Sequence, residues 1–126
     1  MNNPMPTAGQ VIEMMGAKMG ASNVPAALRY AEQVAPELVV QVALSSSQSV
    51  GDETSPLDEK TRTLIYLASA LATHDAECIK ATLASSLALG VTRDEFVSVI
   101  KIVQHAANNG TLGAATPILE ALAKQG

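Results

Sequence analysis

Residues 58–90, DEKTRTLIYLASALATHDAECIKATLASSLALG, contain the pattern that decides the fold. In the first half, apolar side chains recur at positions 64, 67, 68 and 71, the i, i+3, i+4, i+7 spacing of one helix face. Asp58 precedes this half as a helix N-cap, and Gly90 follows the second half as a C′ residue. The stretch therefore predicts two consecutive helices, a helical hairpin, with the second helix beginning within THDAEC and running to Leu89.

The composition favours helices along the whole chain. Hydrophobic residues make up 48% of the 126 residues, but aromatic residues only 2%, with no Trp and one Phe. The core must therefore consist of Ala, Leu, Val, Ile and Met, and Ala and Leu are the strongest apolar helix formers. The length suits one domain with a real core rather than two domains. We predict an all-α fold in a single domain, residues 1–126.

Capping and breaking signals place the other helices. The sequences T-x-x-Q at 7–10 and T-R-D-E at 92–95 fit capping boxes, in which two side chains satisfy the first backbone N–H groups of a helix. Short N-terminal helices are predicted between residues 7 and 50. The polar stretch 45–56 is predicted to be a loop, and N-N-G at 108–110 is predicted to break the helix that starts after Thr92.

The charge and the apolar runs restrict the partners. The net charge is −4, with 8 basic and 12 acidic residues and no Lys/Arg cluster, so we expect no nucleic-acid binding. No apolar run approaches the roughly 18 residues of a membrane-spanning helix, and the start, MNNPMPTAG, lacks the features of a signal peptide. We therefore expect no membrane insertion and a cytosolic location. A single cysteine also excludes an intrachain disulfide.

Small residues dominate the predicted hairpin, which favours close helix packing. The two helices then present apolar faces too wide for one chain to cover, so we predict a homo-oligomer. The alanines that carry this prediction are Ala68, Ala70, Ala72, Ala81, Ala84 and Ala88.

The start of the second hairpin helix holds the chemically distinctive residues. Cys78 is the only cysteine, and a helix N-terminus lowers the pKa of a thiol, although the negative charges of Asp75 and Glu77 oppose this. A simpler interpretation is that Cys78 is a small half-buried hydrophobic residue and that Asp75 or Thr73 caps the helix. His74 and Cys78 have the i, i+4 spacing of two metal ligands on a helix, but no second local pair exists. We therefore expect no metal and no other cofactor.

Four longer motifs resemble the carboxymuconolactone decarboxylase and alkylhydroperoxidase D superfamily over residues of about 55–123. They are LDEKTRTLIYLASALA, the cysteine-bearing helix start, ALGVTRDEFVSVI and NNGTLGAATPILEAL, and PELVVQVALS is similar to the preceding helix of the family. The resemblance implies an all-α fold of alkylhydroperoxidase D type, built around the hairpin and assembled as a trimer or hexamer.

The resemblance also implies a catalytic frame that this chain keeps only in part. The peroxidase branch has C-x-x-C at the start of the second hairpin helix, a His four residues later and a Glu on the first hairpin helix. Here the second Cys corresponds to Cys78, the first to Asp75, the His to Thr82 and the Glu to Thr63. The pocket geometry can survive while the dithiol reaction cannot, so we interpret the chain as a divergent member that lacks C-x-x-C.

Three functions follow as hypotheses. The first is peroxide reduction by Cys78 alone, with Asp75 near the thiol and His105 as the candidate for proton transfer. The second is a decarboxylase or lactone enzyme acting on a small carboxylic acid, whose carboxylate Arg62, His74 or Lys80 would bind. The third is an oligomeric ligand-binding protein without catalysis. Arg62, Lys80, Tyr66 and Thr82 are the candidate substrate-binding residues: the two cations for a carboxylate, Tyr66 as pocket wall and hydroxyl donor, and Thr82 at the position of the family His.

Overall fold

The computed structural model describes residues 5–126, and its regular structure is helical throughout that range. The all-α prediction is confirmed. The helices are α1 (Ala8–Met19), α2 (Ala26–Val34), α3 (Pro36–Ser47), α4 (Glu59–Ala72), α5 (Ala76–Ala88), α6 (Arg93–Ala114) and α7 (Thr116–Gln125), with a short 3-10 helix at Ala21–Asn23.

The helix ends follow the capping signals of the sequence. In the box that opens α1, Gln10 N–H donates to the Thr7 hydroxyl at 3.2 Å and Thr7 N–H donates to the Gln10 side chain at 2.9 Å. Thr92 and Glu95 form the same reciprocal pair at the start of α6. At the end of α5, Gly90 has φ +77°, the left-handed region that favours glycine. These predictions are confirmed.

Two predicted breaks lie elsewhere. The loop begins at residue 48 rather than 45, because Ser47 and its neighbours continue α3 for one more turn. The N-N-G sequence at 108–110 does not end α6, which continues to Ala114. Glycine costs a helix only about 1 kcal/mol and, unlike proline, leaves the backbone hydrogen bond in place. Side-chain bonds also cross this segment, from Asn109 to His105 and from Thr111 to the Ala107 carbonyl, each 3.1 Å long.

The tightest packing among α1, α2 and α3 centres on Val39. Ala8, Val11 and Val39 are buried against one another, and partly buried apolar side chains surround them. These neighbours are Ile12, Met15, Leu28, Ala31 and Ala43. A side-chain bond joins the 3-10 helix to the hairpin, because Lys80 Nζ on α5 donates to the Ser22 carbonyl at 2.8 Å.

The α4–α5 hairpin is packed mainly through small residues. The buried side chains of α4 are Thr63, Leu67 and Ala70, and those of α5 are Ala81, Thr82 and Ser86. Small side chains let helix backbones approach closely. The hairpin prediction is confirmed, and this packing positions the residues at its turn.

Replacing Val39 by Ala tests the N-terminal cluster. Val39 is 0% exposed, so removing two methyl groups leaves a cavity and lowers the free energy of unfolding by about 2 kcal/mol. Val42→Ala on the same helix is the matched control, since Val42 is 43% exposed and its truncation should change stability by less than about 0.5 kcal/mol. Urea unfolding at one fixed protein concentration measures both. Equal effects of the two substitutions would contradict this description of the core.

Candidate functional site at the hairpin turn

A tight turn at His74 and Asp75 connects α4 to α5. Asp75 N–H donates to the Ala70 carbonyl at 3.0 Å, and His74 N–H donates to the Leu71 carbonyl at 3.2 Å. His74 has φ +55°, a left-handed conformation that is uncommon for residues other than glycine but is adopted more often by asparagine, aspartate and histidine than by the rest. Its side chain is exposed. The backbone of His74 therefore makes the turn, while its imidazole points to solvent.

Asp75 is the N-cap of α5. Its carboxylate accepts a hydrogen bond from Cys78 N–H at 3.1 Å, and this bond holds the pKa of Asp75 below its ordinary value. The capping interpretation of Asp75 is confirmed. The carboxylate lies at the start of the cysteine-bearing helix and remains ionised at neutral pH.

The thiol of Cys78 faces the first hairpin helix, where it meets Tyr66. The Tyr66 hydroxyl donates to Cys78 Sγ at 3.3 Å, and both side chains are partly shielded from solvent. A sulfur atom is a weak acceptor when it is a thiol and a better one when it is a thiolate. The bond therefore links the single cysteine to a phenol that can donate a proton.

The surroundings of Cys78 keep its thiol protonated. Burial is the largest effect and raises the pKa of Cys78; the Tyr66 hydroxyl opposes it, while the hydrogen bond to Asp75 and the charges of Asp75 and Glu77 raise the pKa further. The balance lies above the ordinary thiol value. The same bond, together with burial, raises the pKa of Tyr66 to about 12, so Tyr66 stays a donor.

The positions that correspond to the family His and Glu carry buried hydroxyl groups. The Thr82 hydroxyl donates to the Cys78 carbonyl at 2.6 Å, and Thr82 and Thr63 are both buried. Asp75, the cap before α5, thus accepts from the backbone N–H of Cys78, and Thr82 within α5 donates to the backbone carbonyl of Cys78. Since the Thr82 hydroxyl is used inside its own helix, its proposed contact with a substrate stays a prediction.

The other predicted site residues lie apart from the thiol. His105 is exposed on α6, bonded to Asn109, and the shallow groove beside it is lined only by residues of α6. Lys80 donates to the Ser22 carbonyl on the far side of α5. The structure brings together Cys78, Tyr66 and Asp75, and shows no bond from His105, His74 or Lys80 to any of the three within residues 5–126.

His74 and Cys78 do not form the pair of metal ligands, four residues apart on one helix, that their spacing suggested. Because α5 begins at Ala76, His74 lies before the helix and does not share its face with Cys78 as an i, i+4 pair. Across the part of the chain that the structure describes, no group of three or more His, Cys, Asp or Glu side chains is placed to hold a metal ion.

A small cavity lies on the other side of Tyr66, between α4 and the loop of residues 48–58. Its volume is about 230 Å³. Arg62 and Tyr66, both predicted for substrate binding, line this cavity, as do Ser49, Val50, Ser55, Leu57, Ile65 and Ser69. We call this space the loop cavity.

The sequence held a signal for one of the cavity residues that our prediction missed. Arg62, Tyr66 and Ser69 are spaced i, i+4, i+7, so any pocket on this face of α4 had to include Ser69. The loop residues had no such signal, since only the folded path of residues 48–58 brings them over α4. The Arg62 guanidinium holds this path by donating to the Val50 carbonyl at 2.9 Å and to the Leu57 carbonyl at 2.6 Å.

The carboxymuconolactone decarboxylase family model matches residues 42–121, from within α3 to within α7. The chain belongs to the carboxymuconolactone decarboxylase family. The match begins earlier than the predicted family core at about residue 55, because it includes the end of α3 and the 48–58 loop. No curated protein gives a significant match.

Two substitutions in this carboxymuconolactone decarboxylase family protein should move the pKa of Cys78 in opposite directions. Asp75→Asn keeps a capping side chain but removes the charge, so the pKa should fall. Tyr66→Phe removes the donor that favours the thiolate, so the pKa should rise. The pH dependence of iodoacetamide alkylation, followed by mass spectrometry, reports on Cys78 alone because the chain has one cysteine.

Asp94→Asn is the control, since Asp94 is an exposed carboxylate at the start of α6. It should leave the alkylation profile unchanged. Shifts of equal sign for Asp75→Asn and Tyr66→Phe would contradict the described contacts.

Proposed function

We propose that this protein reduces hydroperoxides at Cys78 and is recycled by external thiols. The observation that carries the proposal is the 3.3 Å hydrogen bond from the Tyr66 hydroxyl to Cys78 Sγ at the start of α5. It places a nucleophile and a proton donor side by side, at the position where the resembling enzymes carry a reactive cysteine. A cysteine pair is not available, because Cys78 is the only cysteine of the chain.

The chemistry balances with one cysteine. The Cys78 thiolate attacks one oxygen of the peroxide, the S–O bond forms and the O–O bond breaks, and the leaving oxygen takes a proton from Tyr66 or water. The product is a cysteine sulfenic acid and an alcohol, or water if the substrate is hydrogen peroxide. One external thiol then displaces water to form a mixed disulfide, and a second thiol releases Cys78 as the thiol.

The raised pKa of Cys78 sets the speed of this reaction. The thiolate is the nucleophile, and at neutral pH only a small fraction of Cys78 is in this form. We therefore propose slow turnover at neutral pH that accelerates as the pH rises towards the pKa of Cys78. The need for a thiol reductant also fits our proposed location in the cytosol, where glutathione and thioredoxin maintain thiols.

Peroxide consumption with a thiol reductant tests this proposal. The wild-type rate, after subtraction of the Cys78→Ser background, should rise about tenfold per pH unit from about pH 7 to pH 8.5, following the thiolate fraction. Dimedone should trap a sulfenic acid on wild-type protein and not on Cys78→Ser. Equal peroxide consumption by the two proteins at every pH would overturn the proposal.

Ligand binding without catalysis is the second candidate function. The raised pKa of Cys78 favours it, because a protonated thiol is a poor nucleophile, and the loop cavity offers a place for a ligand. A decarboxylase function has less support, since His74 and Lys80 lie outside the cavity and leave Arg62 as the sole predicted carboxylate-binding cation there. Bound ligand with no peroxide consumption would select this second function.

We propose further that the protein assembles as a homo-oligomer through α6 and α7. Neither helix has a buried residue, although both carry large apolar side chains. The exposed ones are Ile100, Ile102, Leu112, Ile118, Leu119 and Leu122. An apolar surface of this kind on two adjacent helices is typical of an interface between subunits.

A charge placed on this surface tests the proposed assembly. Ile118→Glu should dissociate the oligomer, because a carboxylate buried at an apolar interface loses its hydration without gaining a partner. Size-exclusion chromatography with light scattering measures the molar mass. Gln125→Glu at the end of α7 adds the same charge outside the apolar group and should leave the mass unchanged. A wild-type mass of one chain, 13.0 kDa, would contradict the proposal.

A further inference from the structure

Arg62 brings a positive charge to the wall of the loop cavity. Its guanidinium is partly buried and forms no salt bridge with a carboxylate in the described part of the chain. Its two observed bonds go to neutral backbone carbonyls, which use two of the five N–H donors of an arginine. The site thus holds a cation with spare donors and no anionic partner.

The two carboxylates on which the charge of Arg62 acts, Asp52 and Asp58, accept hydrogen bonds from other residues. Asp52 accepts hydrogen bonds from the backbone N–H and the hydroxyl of Thr54, and Asp58 accepts one from Thr61 N–H as the cap of α4. The positive charge of Arg62 contributes to lowering the pKa of both carboxylates. Neither carboxylate lies within 4.0 Å of a guanidinium nitrogen of Arg62. Arg62 is therefore free to pair with an anion that enters the cavity.

The remaining walls suit the apolar part of a small ligand. Val50, Leu57 and Ile65 supply aliphatic surface, Tyr66 supplies an aromatic ring, and serine hydroxyls lie between them. A few polar groups set among apolar walls are typical of small-molecule sites. The cavity is open to solvent, and its volume of about 230 Å³ is below the range of drug-sized ligands, so it suits a small ligand.

We propose that the loop cavity binds a small organic monocarboxylate. Its carboxylate pairs with the remaining N–H donors of the Arg62 guanidinium, and its apolar body lies between Leu57, Ile65 and the ring of Tyr66. Charge-assisted hydrogen bonds from the guanidinium favour this anion over a neutral amide or alcohol of the same shape.

The charges around the cavity favour one carboxylate over two. Arg62 is the one cation among the lining residues, and its charge also acts on the acidic side chains of Asp52 and Asp58. A second carboxylate would face either the apolar wall, where desolvation is costly, or these like charges. The site therefore discriminates against dicarboxylates and against doubly charged phosphate esters.

Tyr66 connects this ligand site to the thiol, since its ring lines the cavity and its hydroxyl bonds to Cys78. A bound monocarboxylate would thus lie one side chain away from the sulfur atom. The binding proposal does not depend on peroxide reduction, because no step of it uses the reactivity of Cys78.

Calorimetric titration with benzoate tests the site on the intact protein. Wild-type protein should bind benzoate at least tenfold more tightly than the neutral analogue benzyl alcohol and the dicarboxylate terephthalate. Arg62→Gln should weaken benzoate binding at least tenfold. Arg93→Gln is the matched control, because Arg93 is an exposed arginine on α6, and it should leave the affinity unchanged.

Because Arg62 also holds the loop through two carbonyls, Arg62→Gln could weaken binding by moving the loop, and a second variant separates the two effects. Ser69→Leu leaves the guanidinium and its carbonyl bonds in place but fills the cavity, and it too should weaken benzoate binding at least tenfold. Cys78→Ser should bind benzoate like the wild type even if peroxide consumption is lost, so failure of the site and failure of the peroxide proposal give different results. Absence of benzoate binding to the wild type, equal affinity for benzyl alcohol, or full affinity in Ser69→Leu would overturn the proposal.

Discussion

The tight turn at His74 and Asp75 is the constraint on which the candidate site depends. The bond from Asp75 N–H to the Ala70 carbonyl closes α4 and reverses the chain within two residues. Small buried residues then allow α5 to lie close against α4. As a result, Tyr66 and Cys78, twelve residues apart in sequence, lie opposite each other and within hydrogen-bond distance. A longer turn or bulkier side chains would move the sulfur away from the phenol.

The same packing explains why the thiol is not strongly activated. A cysteine in the first turn of a helix gains from the helix dipole, but Cys78 also loses solvent and lies beside the Asp75 carboxylate that caps the helix. Tyr66 offsets part of these effects by donating to the sulfur. Thr63 and Thr82 carry buried hydroxyls where the resembling peroxidases have acid–base residues, and the side-chain proton donor that contacts Cys78 Sγ is Tyr66. The site is a thiol with a raised pKa, bonded to a phenol whose residue also lines the loop cavity.

Much of the fold was predictable because its signals are local. Asp58, Gly90 and the two capping boxes act within one helical turn, and the structure confirms each of them. The N-N-G prediction was wrong because weak helix formers lower stability without removing a backbone donor. Side-chain bonds along α6 then help it to continue beyond Gly110.

The site was predictable only where it depends on one helix. The cap at Asp75 and the spacing of Cys78 and Thr82 follow from signals local to α5, whereas the bond from Tyr66 and the position of His105 depend on how helices pack. The absence of a carboxylate beside Arg62, within the described chain, is likewise set by the path of the 48–58 loop, which no residue pattern specifies. Burial, the largest effect on the pKa of Cys78, is also a property of the packed hairpin.

The account depends on Cys78 being a protonated thiol at neutral pH, and Raman spectroscopy of the S–H stretch observes this protonation state directly. The chain has one cysteine, so the band has one source and disappears in Cys78→Ser. We expect wild-type protein to show the S–H band at neutral pH and to keep it until the solution is distinctly alkaline. A wild-type protein without an S–H band at neutral pH would carry a thiolate, and that result would contradict the proposed electrostatics of the site.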